Sequence, residues 1–165
     1  MLKIEPLGPG HEREGFDCGS AELNDYLKKT ARQHVEKGLS KTFVLVDDGR
    51  PELILGFLTL AVCEVQAQTL PPKLAKKHPR HVPAAKLARL AVAKDRQREG
   101  LGKLMMVHAL QQAIRVGDSV GIVGFFVDAK NEDARRYYEQ YGFMALPDDP
   151  LKLFLPLATL KQALV

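Results

Sequence analysis

The chain has 165 residues, 45% of them hydrophobic and 27% charged, which predicts a soluble globular protein with one core in a single domain, residues 1–165. Its 24 basic and 20 acidic residues leave a net charge of +4, which suits an anionic partner but is also common in proteins without one. No apolar run resembles a signal peptide or reaches the roughly 20 residues that span a bilayer, so we expect a cytoplasmic protein without a membrane partner.

The first part of the chain predicts one helix and two strands. After the strand-like LKIEPL, Ser20 is a suitable N-cap for a helix that Gly38 ends. The stretches KTFVLVDD and LILGFLTLAVCEV are rich in β-branched and aromatic residues and flank the turn GRPE, so they predict a hairpin. Cys18 and Cys63 belong to no CxxC or Cys/His grouping. We expect both to be buried, and neither a disulfide nor a metal site is indicated.

The stretch from Val65 to Lys94 has no acidic residue. Its basic residues are Lys73, Lys76, Lys77, Arg80, Lys86, Arg89 and Lys94. The proline-rich beginning predicts an irregular or short helical segment, and AAKLARLAVA predicts a strand. The charge is equally compatible with a solvated surface and with a phosphate-binding surface, to which basic residues at 28–37 and 96–98 would add if they share its face.

The stretch DRQREGLGKLMM, residues 95–106, lies between that strand and an amphipathic helix that ends near Gly117. A strand that turns into a helix presents backbone N–H groups at the positive end of the helix dipole, which favours an anion. We expect Gly100 to allow close approach of a ligand and Gly102 to face the core. Arg96 and Arg98 are candidates for adding positive charge.

Two nucleotide-binding signatures do not fit this turn. A Walker loop requires GxxxxGK[ST], whereas GLGKL has leucine after the lysine. A dinucleotide fingerprint GxGxxG requires glycine where Met105 stands. Considered by itself, the turn is therefore also compatible with an ordinary strand-to-helix connection.

The last part of the chain predicts a buried strand, a helix and two closing strands. GIVGFFVDA is almost continuously apolar, as expected of a strand buried on both faces. Asn131 is a suitable N-cap for the next helix, which Gly142 ends, and FMAL and LKLFLPL predict the closing strands. Tyr137, Tyr138 and Tyr141 lie near one stripe of that helix, a spacing that is usually typical of packing.

Two motifs in these segments resemble the signatures of the GNAT N-acetyltransferase superfamily. The pattern [QR]-x-x-G-x-[GA] is matched by Gln97, Gly100 and Gly102. The pattern N-x-x-A-x-x-x-Y-x-x-x-G-F is matched by Asn131, Ala134, Tyr138, Gly142 and Phe143. The resemblance implies a GNAT fold of the α/β (α+β) class, with a bent, mostly antiparallel mixed sheet of about six to seven strands and about four flanking helices.

The resemblance also implies acetyl-CoA as cosubstrate. The residues implied to bind it are Leu90, Ala91, Val92, Gln97, Arg98, Gly100, Leu101, Gly102, Lys103 and Asn131. Tyr138 is implied as the catalytic general acid, because a phenol with a pKa near 10 stays protonated at neutral pH and can donate to a departing thiolate. No general base is evident; Glu64, Asp128 or a water molecule are candidates, and an α-amine acceptor needs little help because its pKa is near 8.

The stretches FDCGSAELNDYL, GFLTLAV and LPPKLAKKHPRHVPAAKLARLAV resemble the toxin branch of the superfamily. This implies acetylation of the α-amino group of aminoacyl-tRNA, arrest of translation and a ribbon-helix-helix antitoxin as partner, with a homodimer left open. The chain departs from the branch at Ala88, where glycine is frequent, and at Lys94, near where an acid is frequent. The alternatives are a GNAT enzyme for a small amine or a protein N-terminus, and an inactive module that binds acetyl-CoA or a partner.

Overall fold

The computed structural model describes residues 1–163 of the chain. The strands are β1 (Leu2–Pro6), β2 (Lys41–Asp47), β3 (Gly56–Gln66), β4 (His81–Val92), β5 (Gly124–Asp128), β6 (Met144–Leu146) and β7 (Asp149–Pro156). The α-helices are α1 (Ala21–Asp25), α2 (Ala31–Glu36), α3 (Pro72–Ala75), α4 (Leu101–Ser119), α5 (Glu132–Glu139) and α6 (Leu157–Ala163). Short 3₁₀ helices cover Ala67–Thr69 and Lys94–Arg96.

The seven strands form one sheet in the order β1-β2-β3-β4-β5-β7-β6. β2 pairs antiparallel with both β1 and β3, and β7 pairs antiparallel with both β5 and β6. β4 and β5 run parallel, with Ala85 opposite Phe125 and Leu87 opposite Val127. The expected mixed, mostly antiparallel sheet is confirmed.

The helix expected between Ser20 and Gly38 is present, but it is not a uniform α-helix. Ser20 Oγ accepts a hydrogen bond from the Leu23 backbone N–H at 3.4 Å, and Gly38 has a φ of +74°. Between α1 and α2 the residues Tyr26–Thr30 form a π-helical segment. A π segment inserts residues into the helical repeat and changes which side chains face the core, and such segments are frequent at functional sites.

The chain divides into two compact units. The first consists of Met1–Ala61 and Ala88–Ala109. Its core joins the N-terminal helical region to the strands around it. The cluster contains Phe16, Tyr26, Leu27, Ala31, Val44, Val46, Ile54, Phe57, Ala91 and Ala93. Because these side chains are nearly inaccessible to solvent, the cluster fixes the end of β4, where Ala91 lies, and Ala93 directly after it.

The second unit consists of residues 62–87 and the chain from Leu110 onward. Its core cluster contains Val65, Leu70, Val82, Ala84, Phe126, Leu146 and Phe154. Residues 124–127 of β5 are buried, as the apolar run predicted. α6 was not expected from the sequence, because LATLKQA directly follows a strand and has no N-cap signal. Within residues 1–163 no helix is both long and apolar enough to cross a membrane.

Candidate active site

The connection from β4 to α4 is a tightly turned loop in the first unit. Arg98 has a φ of +66° and Gly100 a φ of +82°, so two residues close together lie in the left-handed region. Such a backbone is uncommon for a residue other than glycine, and it is frequent in loops that bind ligands. These two conformations turn the chain sharply into α4, which begins at Leu101.

The side chain of Gln97 anchors this loop. Its amide Nε2 donates to the carbonyl oxygens of Val92 and Cys18, each at 3.1 Å. The loop is thereby tied to the end of β4 and to a segment 79 residues earlier in the chain. The side-chain amide of the motif glutamine therefore holds the loop in place.

The beginning of α4 forms an anion-binding arrangement. The first intrahelical bond at this end joins the Leu104 N–H to the Gly100 carbonyl at 3.2 Å. The N–H groups of residues 101–103 come before it and therefore have no acceptor within the helix. Apart from its two chain neighbours, no atom of residues 1–163 lies within 4 Å of the position that a Cβ would take at Gly100. The space beside Gly100 is therefore open, and α4, with 19 residues, directs the positive end of its dipole toward it.

Ion pairs reduce the positive charge of this loop. Arg96 Nε lies 3.1 Å from both carboxylate oxygens of Glu99, and Lys94 Nζ lies 3.3 Å from Asp17 Oδ2. Arg98 has no carboxylate within 4.0 Å among residues 1–163. Of the two arginines named as candidates, Arg96 is thus paired with Glu99 in an exposed ion pair, whereas Arg98 is unpaired in the described part of the chain.

Asn131 positions α5 in the second unit. Its Oδ1 accepts from the Ala134 backbone N–H at 2.9 Å, as expected of an N-cap. Glu132 and Asp133 follow in the first turn, where acidic residues favour the helix dipole. The side-chain oxygen of this motif residue therefore caps the N-terminus of the helix that contains Tyr138.

The three tyrosines of this region have different surroundings. The hydroxyls of Tyr137 and Tyr141 lie 3.2 Å apart and hydrogen-bond each other, as packing residues do. The ring of Tyr138 is half-buried and packs edge-to-face against Tyr137 and Phe143, at centroid distances of 5.5 and 5.9 Å. In the described part of the chain its hydroxyl has no hydrogen-bond partner. Burial raises the pKa of Tyr138 above 10, so the hydroxyl stays protonated and available as a donor.

A cavity of about 380 Å³ lies in the second unit and contains both carboxylates named as candidate bases. Glu64 Oε1 lies 2.9 Å from His81 Nδ1, and Asp128 Oδ2 lies 2.9 Å from Lys86 Nζ. Cys63 also lines the cavity and is half-buried rather than buried, and burial raises the pKa of its thiol. Both carboxylates are thus already held by a basic side chain.

Comparison with known proteins decides the family. The model of the acetyltransferase (GNAT) family matches residues 10–143, which include both motifs. The chain is a GNAT acetyltransferase.

Proteins named as toxins are among those similar to this acetyltransferase. A tRNA-acetylating toxin of Mycobacterium tuberculosis is 35% identical over 140 residues, which cover 85% of this chain and 82% of the toxin. AtaT in complex with acetyl-methionyl-tRNAfMet has a TM-score of 0.91 and 28% identity, with both chains covered completely. A tyrosine-to-phenylalanine mutant of AtaT bound to the C-terminus of the antitoxin AtaR and acetyl-CoA has a TM-score of 0.82 and 27% identity, with 99% and 98% covered.

The sequence located the acetyltransferase's loop and motif helix but missed other features of the site. The missed features are the role of Gln97 as an anchor, the Arg96–Glu99 pair, and the cavity around Glu64 and Asp128. Period-two alternation in β3, β4 and β5 could have placed the cavity residues on one sheet face, but only once the strand order was known. Within residues 1–163, no three His, Cys, Asp or Glu side chains group closely enough to hold a metal ion.

Proposed function

We propose that this acetyltransferase transfers the acetyl group of acetyl-CoA to the α-amino group of aminoacyl-tRNA and so blocks translation until an antitoxin neutralises it. The observation that carries the proposal is the full-length likeness to AtaT in complex with acetyl-methionyl-tRNAfMet. The 35% identity to a tRNA-acetylating toxin supports it independently of that structure. We further propose that residues 1–165 act as one GNAT domain in the cytoplasm.

The loop and the helix start would hold the cosubstrate. Backbone N–H groups at Gly100 and residues 101–103 suit a pyrophosphate, because they combine free donors with the positive end of the α4 dipole. The open space at Gly100 leaves room for the phosphate oxygens to approach the backbone. The end of β4, residues 90–92, would offer peptide groups to the pantetheine arm, while Gln97 holds this strand end and the loop together.

The reaction requires a neutral amine and a proton for the leaving group. When bound, acetyl-CoA supplies a thioester; the amine nitrogen forms a bond to the acetyl carbon, and the carbon–sulfur bond breaks. The Tyr138 hydroxyl would donate its proton to the thiolate, and burial keeps that proton in place because it raises the pKa of the phenol. An α-amine with a pKa near 8 is partly neutral at pH 7 and loses its second proton to solvent or a nearby carboxylate.

The basic segment, residues 73–80, would contact tRNA phosphates. Lys73, Lys76, Lys77 and Arg80 are all exposed. Within residues 1–163 none of the four has a carboxylate within 4.0 Å, whereas Lys86 and Lys94 are paired with Asp128 and Asp17. Cations without a carboxylate partner can bind phosphates without first breaking an ion pair, which favours the phosphate-binding interpretation of this segment.

We predict that changing the four cations of the basic segment to glutamine raises KM for charged tRNA at least tenfold and leaves KM for acetyl-CoA unchanged. Each lost phosphate contact should also make the dependence of log KM on log salt shallower by roughly 0.7 to 0.9. Initial rates measured between low and moderate salt would check both effects. A control for total charge removes four other cations: Arg115 and Lys130, which have no carboxylate within 4.0 Å among residues 1–163, and Arg136 and Lys161, which are paired with Asp133 and Asp118. An equal rise of KM in the control would show that only total charge matters.

The antitoxin is proposed to be a ribbon-helix-helix protein, as in the toxin branch that the sequence resembles. A homodimer of the acetyltransferase belongs to the same proposal.

Isotope transfer from labelled acetyl-CoA tests the function against its alternatives. Charged tRNA should accept label, whereas spermidine and peptides with free N-termini should not. Preferred acetylation of spermidine or peptides would replace the proposal with the small-amine or N-terminus alternative, and no transfer to any acceptor would indicate an inactive module.

A further inference from the structure

Arg89 is a half-buried guanidinium without an acid partner. It lies in β4, just before the strand end at residues 90–92. Its Cζ lies over the Tyr26 ring, 3.8 Å from the ring centroid, which is a cation–π contact. Within residues 1–163 the guanidinium has neither a hydrogen bond nor an ion pair. Its five N–H donors are therefore left without an acceptor from the protein.

Tyr26, whose ring lies beneath the Arg89 guanidinium, is itself held by contacts on several sides. Tyr26 is 6% exposed and stacks nearly parallel to Phe57, with a centroid distance of 6.3 Å. Its hydroxyl lies 3.5 Å from His34 Nδ1 and from Ser40 Oγ. Tyr26 belongs to the π-helical segment, and its ring lies in the core cluster of the first unit. The ring is thus a buried, packed support beneath the guanidinium.

A partly buried cation without a counter-ion is costly to the folded protein, because it loses hydration without gaining a partner. A planar guanidinium with its face occupied and its edges free is well suited to a phosphate, which it binds through two parallel N–H bonds. The arrangement therefore points to an anionic group of a ligand rather than to a role in stability.

The position of Arg89 along β4 indicates which anionic group of the ligand it would bind. Arg89 is three residues before Val92, and with a rise of about 3.3 Å per residue it lies within about 10 Å of the strand end. This step rests on the proposed function, in which that strand end carries the acetyl group. The α-amine of an aminoacyl-tRNA is joined through its ester and the terminal ribose to the 5′ phosphate of the last nucleotide. The phosphorus is about eight bonds from the amine nitrogen, a span similar to the distance of about 10 Å from Arg89 to the strand end.

We propose that Arg89 binds the phosphodiester that precedes the terminal adenosine of charged tRNA and thereby positions the acceptor amine. It is a specificity-determining residue for acceptors with a nucleotide phosphate. The pyrophosphate of acetyl-CoA has a separate set of donors at the β4–α4 loop, so it does not need this arginine.

The test compares two acceptors with two enzymes. Arg89→Ala should raise KM for aminoacyl-tRNA about ten- to a hundredfold, as expected for the loss of a charged hydrogen-bond pair. The same amino acid esterified to adenosine lacks the phosphate, and with this acceptor the variant should match the parent enzyme. Arg89→Lys should be intermediate, because it keeps the charge but loses the planar pair of donors. Arg115→Ala is the matched control, and acetyl-CoA affinity by calorimetry reports whether each variant is folded.

The other outcomes identify which idea fails. An unchanged KM for aminoacyl-tRNA in Arg89→Ala would overturn the assignment while leaving the proposed function intact. An equal loss with both acceptors would make Arg89 a structural residue, and a loss of antitoxin binding alone would mean that a carboxylate of the antitoxin is its partner. A parent enzyme that acetylates neither acceptor would overturn the proposed function and this inference together.

Discussion

Replacing Tyr138 by phenylalanine is expected to lower kcat for acetylation of aminoacyl-tRNA roughly 100- to 10,000-fold, the usual contribution of a positioned general acid. This corresponds to about 3 to 5 kcal/mol of barrier. The substitution keeps the ring that packs on Tyr137 and Phe143 and removes only the hydroxyl. Because that hydroxyl has no partner within residues 1–163, no protein hydrogen bond is broken. Acetyl-CoA affinity and melting temperature should therefore stay near those of the parent.

Tyr137→Phe and Tyr141→Phe serve as controls for this prediction. They remove hydroxyls that hydrogen-bond each other, so each should cost a little stability and leave kcat nearly unchanged. Arrest of growth on expression should disappear only with Tyr138→Phe. If Tyr138→Phe keeps full turnover in single-turnover kinetics, the hydroxyl is not the acid, and the thiolate takes its proton from solvent or from the incoming ammonium.

Replacing Gly100 by valine should weaken acetyl-CoA binding about a hundredfold or more. A φ of +82° is strained for any residue with a Cβ, at a cost of roughly 1 to 2 kcal/mol. A shifted loop would also lose a hydrogen bond from backbone N–H to a charged phosphate, worth roughly 1.5 to 3 kcal/mol. Because the Cβ would not clash with any described residue beyond its chain neighbours, fold stability should fall less than affinity. Calorimetry with acetyl-CoA and a thermal melt would measure both.

Gly121→Val is the matched control for the loop, since Gly121 is exposed, has open space at its Cβ position and lies outside the left-handed region. Gly100→Asn should be intermediate, because asparagine tolerates left-handed backbone better than valine does. A folded Gly100→Val variant with the parent's acetyl-CoA affinity would remove the loop from the cosubstrate site.

Features set by neighbouring residues could be predicted from the sequence. The Asn131 cap, the turn before α4 and the strands around it depend on residues within a few positions, so their patterns are local. The motif pair then placed Tyr138 and the glycine loop in one fold. The roles of those site residues remain predictions, which the Tyr138 and Gly100 variants would test.

Other features depend on contacts between distant residues and left no local signal. Gln97 contacts Cys18, 79 residues earlier in the chain, and Arg89 contacts Tyr26, which lies in a π-helical segment far from it in sequence. The cavity around Asp128 forms only when separate strands assemble. In each case the residues that meet are decided by the packing of the whole fold, which the hydrophobic periodicity and the secondary-structure propensities of the sequence do not encode.

The position of the acetyl group on the product tests the central claim most directly. Charged tRNA would be incubated with the acetyltransferase and labelled acetyl-CoA, digested to nucleosides and analysed by mass spectrometry. We expect adenosine esterified to an amino acid with an acetyl group on its α-nitrogen, and no such product from deacylated tRNA. An acetyl group on a nucleobase would contradict this function. So would a mixed reaction in which spermidine or a peptide is acetylated and the aminoacyl-adenosine stays unmodified.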